Sequence, residues 1–257
     1  MKQLVLLAAL AAASLAADEP TNKASGSIDT GTVLVRIVQG GGWSTEIQAI
    51  NTNDEGRAMP YTISFFGTTG EPRQFNVRGP GVNGDTRELA RVVNNNGVDI
   101  FELPNIGELR AGYGTMEVAE FRGVSVNVVL TQSVPGRPDF QATIPALGRF
   151  QDDLRMVYRN TRPFTTVVAL TAEADEDWTF RAYNANGSLL CEATRSLQDG
   201  EHFAFVLQDV LGCTAGRDGM LEMFTRFGGA ATGLIFHDFG PFTAQVPYEI
   251  CCIDRTP

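Results

Sequence analysis

Val35–Ile50 (VRIVQGGGWSTEIQAI) recurs 121 positions later as Met156–Thr171 (MVYRNTRPFTTVVALT), pairing Trp43 with Phe164, Thr45 with Thr166 and Ile47 with Val168. Two further stretches repeat in the same order. Val98–Gly112 runs ungapped against His202–Gly216, 104 positions on, and pairs Phe101 with Phe205 and Leu103 with Leu207. Phe140, Ala142 and Pro145 return as Phe242, Ala244 and Pro247, 102 positions on. The offset shrinks along the chain, as when loops lose residues and strands do not. An internal duplication follows, and what repeats is core and turn chemistry.

The repeated stretches read as strands. Val33, Val35 and Ile37 alternate with other side chains until Gly40-Gly41-Gly42 breaks the run. Thr45–Asn51, Tyr61–Phe66 and the Val124, Val126, Val128 series follow, and the second copy gives the same succession. Asn186-Gly187 is a hairpin signal of type I′, and Gly228-Gly229 marks another turn. Helical periodicity is confined to single turns at Pro104–Leu109 and Gln208–Leu211. Short strands at regular spacing predict an all-β chain of two tandem Ig-like antiparallel β-sandwich domains, residues 32–148 and 149–250. The first copy alone carries Gly79–Asn96, rich in Gly, Asn and Arg, which is expected to be an unpaired loop.

The first 17 residues read as a signal peptide. Lys2 precedes the apolar Leu4–Ala13, and cleavage falls after Ala16 or Ala17. Residues 18–31 are a polar, disordered lead-in. No cysteine near the site suggests a lipid anchor, and no later stretch resembles a transmembrane segment. The net charge of −10, with two lysines in the whole chain, argues against nucleic acid and anionic membranes. An exported protein is expected: periplasmic, cell-surface or extracellular.

The chain resembles secreted bacterial proteins with two tandem Ig-like β-sandwich repeats. The resemblance rests on Gly42-Trp43-Ser44-Thr45 and Pro163-Phe164-Thr165-Thr166, on the turns Gly67-Thr68-Thr69-Gly70 and Asn184-Ala185-Asn186-Gly187, and on Ala111-Gly112 and Ala215-Gly216. It implies a fold and a secreted setting, and no functional residue.

Motifs for chemistry are sparse. Asp29-Thr30-Gly31 matches an aspartic-protease triplet but has no second copy. Asn51-Thr52-Asn53-Asp54-Glu55-Gly56 opens like a calcium loop, lacks the closing Glu and is matched by the acidic Glu173–Asp177, so calcium at 51–56 and 173–177 is left open. His202 and His237 form no cluster with cysteines, and Asp238-Phe239-Gly240 stands without the rest of a kinase. Trp43, Tyr61 and Trp178 are candidates for a sugar-stacking platform, although aromatics kept in both copies are more simply core. Four cysteines, Cys191, Cys213, Cys251 and Cys252 in a 251–257 tail, admit three complete pairings; Cys191 with Cys213 would staple the second sandwich. No catalytic residue, cofactor or metal site is expected. The expected function is a non-catalytic binding, adhesive or structural protein whose partner is an unknown protein or glycan, with a carbohydrate-binding module as the alternative and a secreted hydrolase behind both.

Overall fold

The computed structural model describes residues 32–53, 56–118, 123–147, 151–238, 241–245 and 247–249. The expected signal peptide and lead-in, the Asp29-Thr30-Gly31 triplet, Asp54, Glu55, Phe239, Gly240, Cys251 and Cys252 lie outside the described residues. The described chain is almost entirely antiparallel β and falls into two compact units, 32–147 and 151–249.

In the first unit, β1 (Thr32–Gln39), β3 (Met59–Phe66), β6 (Glu88–Val93) and β8 (Arg110–Val118) make one layer in the order β1-β8-β3-β6. The other layer contains β2 (Trp43–Asn51), β4 (Phe75–Gly79), β5 (Val82–Thr86), β7 (Val98–Leu103), β9 (Val124–Gln132) and β10 (Phe140–Pro145), in the order β10-β9-β2-β7-β4-β5. Along β2 the side chains of Trp43, Thr45, Ile47, Ala49 and Asn51 are buried and the alternate ones half-exposed, as one sheet face over a core requires. Phe65 of β3 meets Phe75 of β4 edge-on, with ring centroids 5.8 Å apart, across the two layers.

The second unit repeats this pairing order. Its strands are β11 (Gln151–Arg159), β12 (Phe164–Ala172), β13 (Glu176–Asn184), β14 (Leu189–Leu197), β15 (His202–Val206), β16 (Asp218–His237), β17 (Phe242–Gln245) and β18 (Tyr248–Glu249). β16 serves both layers: its first half pairs with β11 and β13, and its second half with β12 and β17. The register also matches. Ile47 lies opposite Phe101 and Val128, and Val168 lies opposite Phe205 and Gly233. Phe180 and Phe205 pack edge-on at 5.5 Å inside a core that draws on both layers.

The repeated threonine of the opening motif has a local explanation. Thr45 Oγ1 accepts a hydrogen bond from Val38 N (2.9 Å) and donates one to Val38 O (2.7 Å). Thr166 Oγ1 does the same with Arg159 N and O, at 2.8 and 2.9 Å. One hydroxyl thereby satisfies two backbone groups left over where the chain turns between layers.

Four expectations change. Gly79–Asn96 is not an unpaired loop: it contains β5 and β6, and the latter pairs with β3 from Met59↔Val93 to Ser64↔Glu88. Its high Gly and Asn content hid the inward alternation of Leu89, Arg91 and Val93. Tyr61 faces Arg91 as Trp178 faces Arg195, so the extra residues of the first unit lie before β6, in the β4–β5 hairpin that joins the opposite layer. Pro104–Leu109 forms no helix, whereas α1 (Leu207–Val210) and a 3-10 turn (Gly212–Thr214) occupy the equivalent place. At Asn186-Gly187 only the glycine has positive φ (86°), and Asn184 O accepts from Gly187 N in a four-residue loop in place of a type I′ turn.

Gly228-Gly229 does not end a strand. β16 continues through it and changes layer there, and a Cβ on Gly229 would meet the Thr171 carbonyl oxygen and come within 2.5 Å of the Trp178 ring. Glycine is the residue that permits so close a crossing.

Candidate functional site

Cys191 of β14 and Cys213 of the 3-10 turn form a disulfide, the staple of the second unit that the sequence offered among its alternatives. Both are partly buried against the core of the second unit. The bond ties the edge of one layer to the connection that follows β15, where the first unit has no cysteine.

Trp43, Tyr61 and Trp178 are 1%, 3% and 0% exposed. A sugar ring cannot stack on a face that the core already covers, so the aromatic platform is excluded. These rings are where β2, β3 and β13 turn inward, and large apolar surfaces are stabilised there by roughly 1.5–3 kcal/mol each.

The polar residues with the most connected geometry were not singled out by motif. Asp99, on the inward face of β7, accepts from Tyr61 Oη (2.7 Å) and from Arg91 Nε and Nη2 (both 2.8 Å). The remaining Arg91 nitrogen donates to Pro80 O. The Arg91 guanidinium, with the Tyr61 hydroxyl, holds the Asp99 carboxyl below the usual range against the opposing effect of burial. Burial and then Asp99 push the Tyr61 hydroxyl well up. Every strong group in the triad is committed to another, so it is built to hold β3, β6 and β7 together and offers no acid or base to a substrate.

The second unit carries its own buried carboxylate. Glu222 of β16 receives Arg155 Nε (3.1 Å) and Nη2 (2.5 Å) on one oxygen and Tyr183 Oη (3.0 Å) on the other. Arg181 lies 3.8 Å from the same carboxylate and 4.5 Å over the Phe224 ring. Burial, with Glu222, raises the Tyr183 hydroxyl. Alternating residues on three adjacent strands make this cluster, and only strand pairing brings them together.

Of the calcium candidates, Asn51 has its amide nitrogen donating to Arg57 O, Val93 O and Asn94 O, and its oxygen accepting from Asn53 N. It ties a loop to the β6 end. Glu176 accepts from Arg226 N and Phe227 N, Asp175 from Asp199 N, and Asp177 from Ser196 Oγ. Burial, then Glu176 and Asp199, raise Glu173. Among the described residues, no group of three or more His, Cys, Asp or Glu is placed to hold a metal ion. His202 is buried beside Thr171 (Nδ1 to Oγ1, 3.1 Å), and His237 packs edge-on against Phe164.

Among the described residues, a shallow groove opens on each unit. One, about 740 Å³, is lined by Pro60, Thr62, Ala90, Arg91, Val92 and Glu117 of the first unit. The other, about 480 Å³, is lined by Val157, Arg159, Tyr183, Asn184, Asp218 and Met220 of the second. On the outer face of β7, Val98 and Ile100 are 55% and 42% exposed. Among the described residues no helix is long and apolar enough to cross a membrane.

No protein-family model matches the sequence, and no curated protein does. Among solved structures, the Enterococcal surface protein, partial N-terminal region, is similar at 8% sequence identity over 90% of this chain and 98% of that chain, with a TM-score of 0.22. So low a score carries no argument about fold or function.

Proposed function

We propose that this chain is a non-catalytic binding, adhesive or structural protein that acts outside the cytoplasm, built from two tandem Ig-like domains, 32–148 and 149–250, that arose by duplication. The observation that carries the reading is the exposure of Val98 and Ile100 beside each other on the outer face of β7, directly across from half-buried Ile50 and from Gln48 of β2. Exposed aliphatic side chains grouped on a sheet face are a common basis for protein contacts. The Cys191–Cys213 disulfide supports an oxidising setting. The shared pairing order and register of the two units support the duplication.

The test is a binding screen of the mature protein against envelope proteins and a glycan array, run in parallel with Val98→Lys/Ile100→Lys. A protein ligand bound by the wild type and lost in the double variant, with unfolding temperature unchanged, is expected. Turnover in a hydrolase substrate panel would refute the reading, and binding that ignores the double variant would refute the placement of the contact on β7.

A further inference from the structure

The two units treat the outer face of one layer in opposite ways. In the second unit, Val168 and Leu170 of β12 and Phe203 and Phe205 of β15 belong to the core. Alternate residues of a strand point to opposite faces, so Val167, Ala169, Ala204 and Val206 point away from that core. Register sets Thr232 and Leu234 of β16 beside them. All six are nevertheless 7% exposed or less. The positions that match them in the first unit are Glu46, Gln48, Ile100, Glu102, Asn127 and Val129, each half-exposed or exposed. One unit thus wets this face, and the other covers it.

The chemistry of the covered face limits what lies on it. No Asp, Glu, Lys or Arg occurs in 165–171, 202–206 or 230–236. Its polar side chains find partners within the sheet: Thr171 meets His202 at 3.1 Å, and Thr232 Oγ1 donates to the Gln245 carbonyl at 3.1 Å. The cover is therefore apolar, since polar groups laid on this face would lose water and gain no hydrogen bond. The two layers of the second unit meet on the opposite side, so the cover comes from elsewhere in the chain. Outside the described residues the chain has one long, uncharged, apolar stretch, Leu4–Ala13. As a helix it measures about 15 Å. The strands β15, β12, β16 and β17 lie side by side in that order and span about 14 Å. Residues 14–31, which join the stretch to β1, reach up to about 60 Å when extended.

We infer that this face of the second unit seats Leu4–Ala13 while the N-terminal segment is attached, and that removal of residues 1–17 bares it as an apolar docking surface. Removal is hydrolysis of one peptide bond, after Ala16 or Ala17, with water supplying the new carboxylate and ammonium ends. The second half of the inference rests on the reading of 1–17 as a cleaved signal. The segment then does two things: it directs export, and it keeps a contact face closed until the chain is mature. Apolar faces of this kind mark sites of protein contact once they are bared. The surface is separate from the Val98 and Ile100 patch of β7.

The test compares the full chain, synthesised cell-free so that no peptidase acts, with the chain 18–257. In the full chain, Leu7 is replaced by the photoreactive p-benzoylphenylalanine, and cross-linked peptides are identified by mass spectrometry. A cross-link to 165–171, 202–206 or 230–236 is expected. Cross-links confined to other residues, or none, overturn the proposal. The fluorescent dye anilinonaphthalene sulfonate, which brightens on exposed apolar surface, reads the second half without a variant. A several-fold rise in its emission is expected from the full chain to 18–257, and equal emission from the two overturns the baring of the face. Exported protein that keeps Met1 also overturns that second half, while the cross-link decides the seat independently.

Discussion

Thr45 and Thr166 show how much a single hydroxyl does in this fold. Each closes both backbone groups of a residue seven positions earlier. Replacement by isosteric valine orphans a buried N–H and C=O, and Thr45→Val or Thr166→Val is expected to destabilise by about 1–3 kcal/mol in urea unfolding. Asp99 is a second such point. Its folded pKa is lowered, so the stability it contributes is present above the unfolded value of about 3.9 and disappears as pH falls through the folded one. Tyr61 has the opposite sign: its folded pKa is raised, so its contribution is full below about pH 10 and is lost as pH rises beyond. Asp99→Asn should lower stability at pH 7 by about 3 kcal/mol and flatten the acid limb of the unfolding midpoint against pH. Arg36 is almost wholly enclosed, which draws its guanidinium pKa down to about 10. None of these roles was legible as a motif. Thr45 was visible as a repeated residue, but its backbone partners are defined only once β1 and β2 pack. Asp99 had no repeat to mark it, because its counterpart is Phe203.

At the level of elements, β2, β3, β7 and β9 followed the alternation of their side chains, whereas β1 and β12 are buried on both faces. The sequence reading missed β5, where glycine and asparagine dilute that alternation, and also β6 and β14, which contain neither residue. The crossing of β16 between layers is the element most exposed to a small change. Gly229→Ala pushes a methyl group into the Thr171 carbonyl and the buried Trp178 ring, neither of which can move aside. A loss of about 1–3 kcal/mol is expected in thermal unfolding. Gly233→Ala should cost less, because the atoms it meets are the thioether end of Met156. The edge strand β14 is held to the 3-10 turn by Cys191–Cys213, across 22 residues of chain. Replacing both with serine should remove about 3 kcal/mol from the second unit. Calorimetry should show that loss in one transition only, since the first unit contains no cysteine.

For the whole molecule, export is the proposal most directly open to measurement. N-terminal sequencing of the secreted protein should begin at Ala17 or Asp18, and an intact Met1 would reject the signal peptide. The sequence by itself determined the all-β class, the strands that recur in both halves and the candidate Cys191–Cys213 staple, because period-two alternation and turn residues act locally and a repeat supplies its own alignment. Tertiary structure alone decided the rest. It turned three candidate aromatic ligand faces into core, made a supposed loop into the edge of a sheet, and joined Cys191 to Cys213. It also gathered Asp99 with Arg91 and Tyr61, and Glu222 with Arg155 and Tyr183. Those contacts join residues on different strands, and which side chains meet depends on register, a property of paired strands that no single stretch of chain contains.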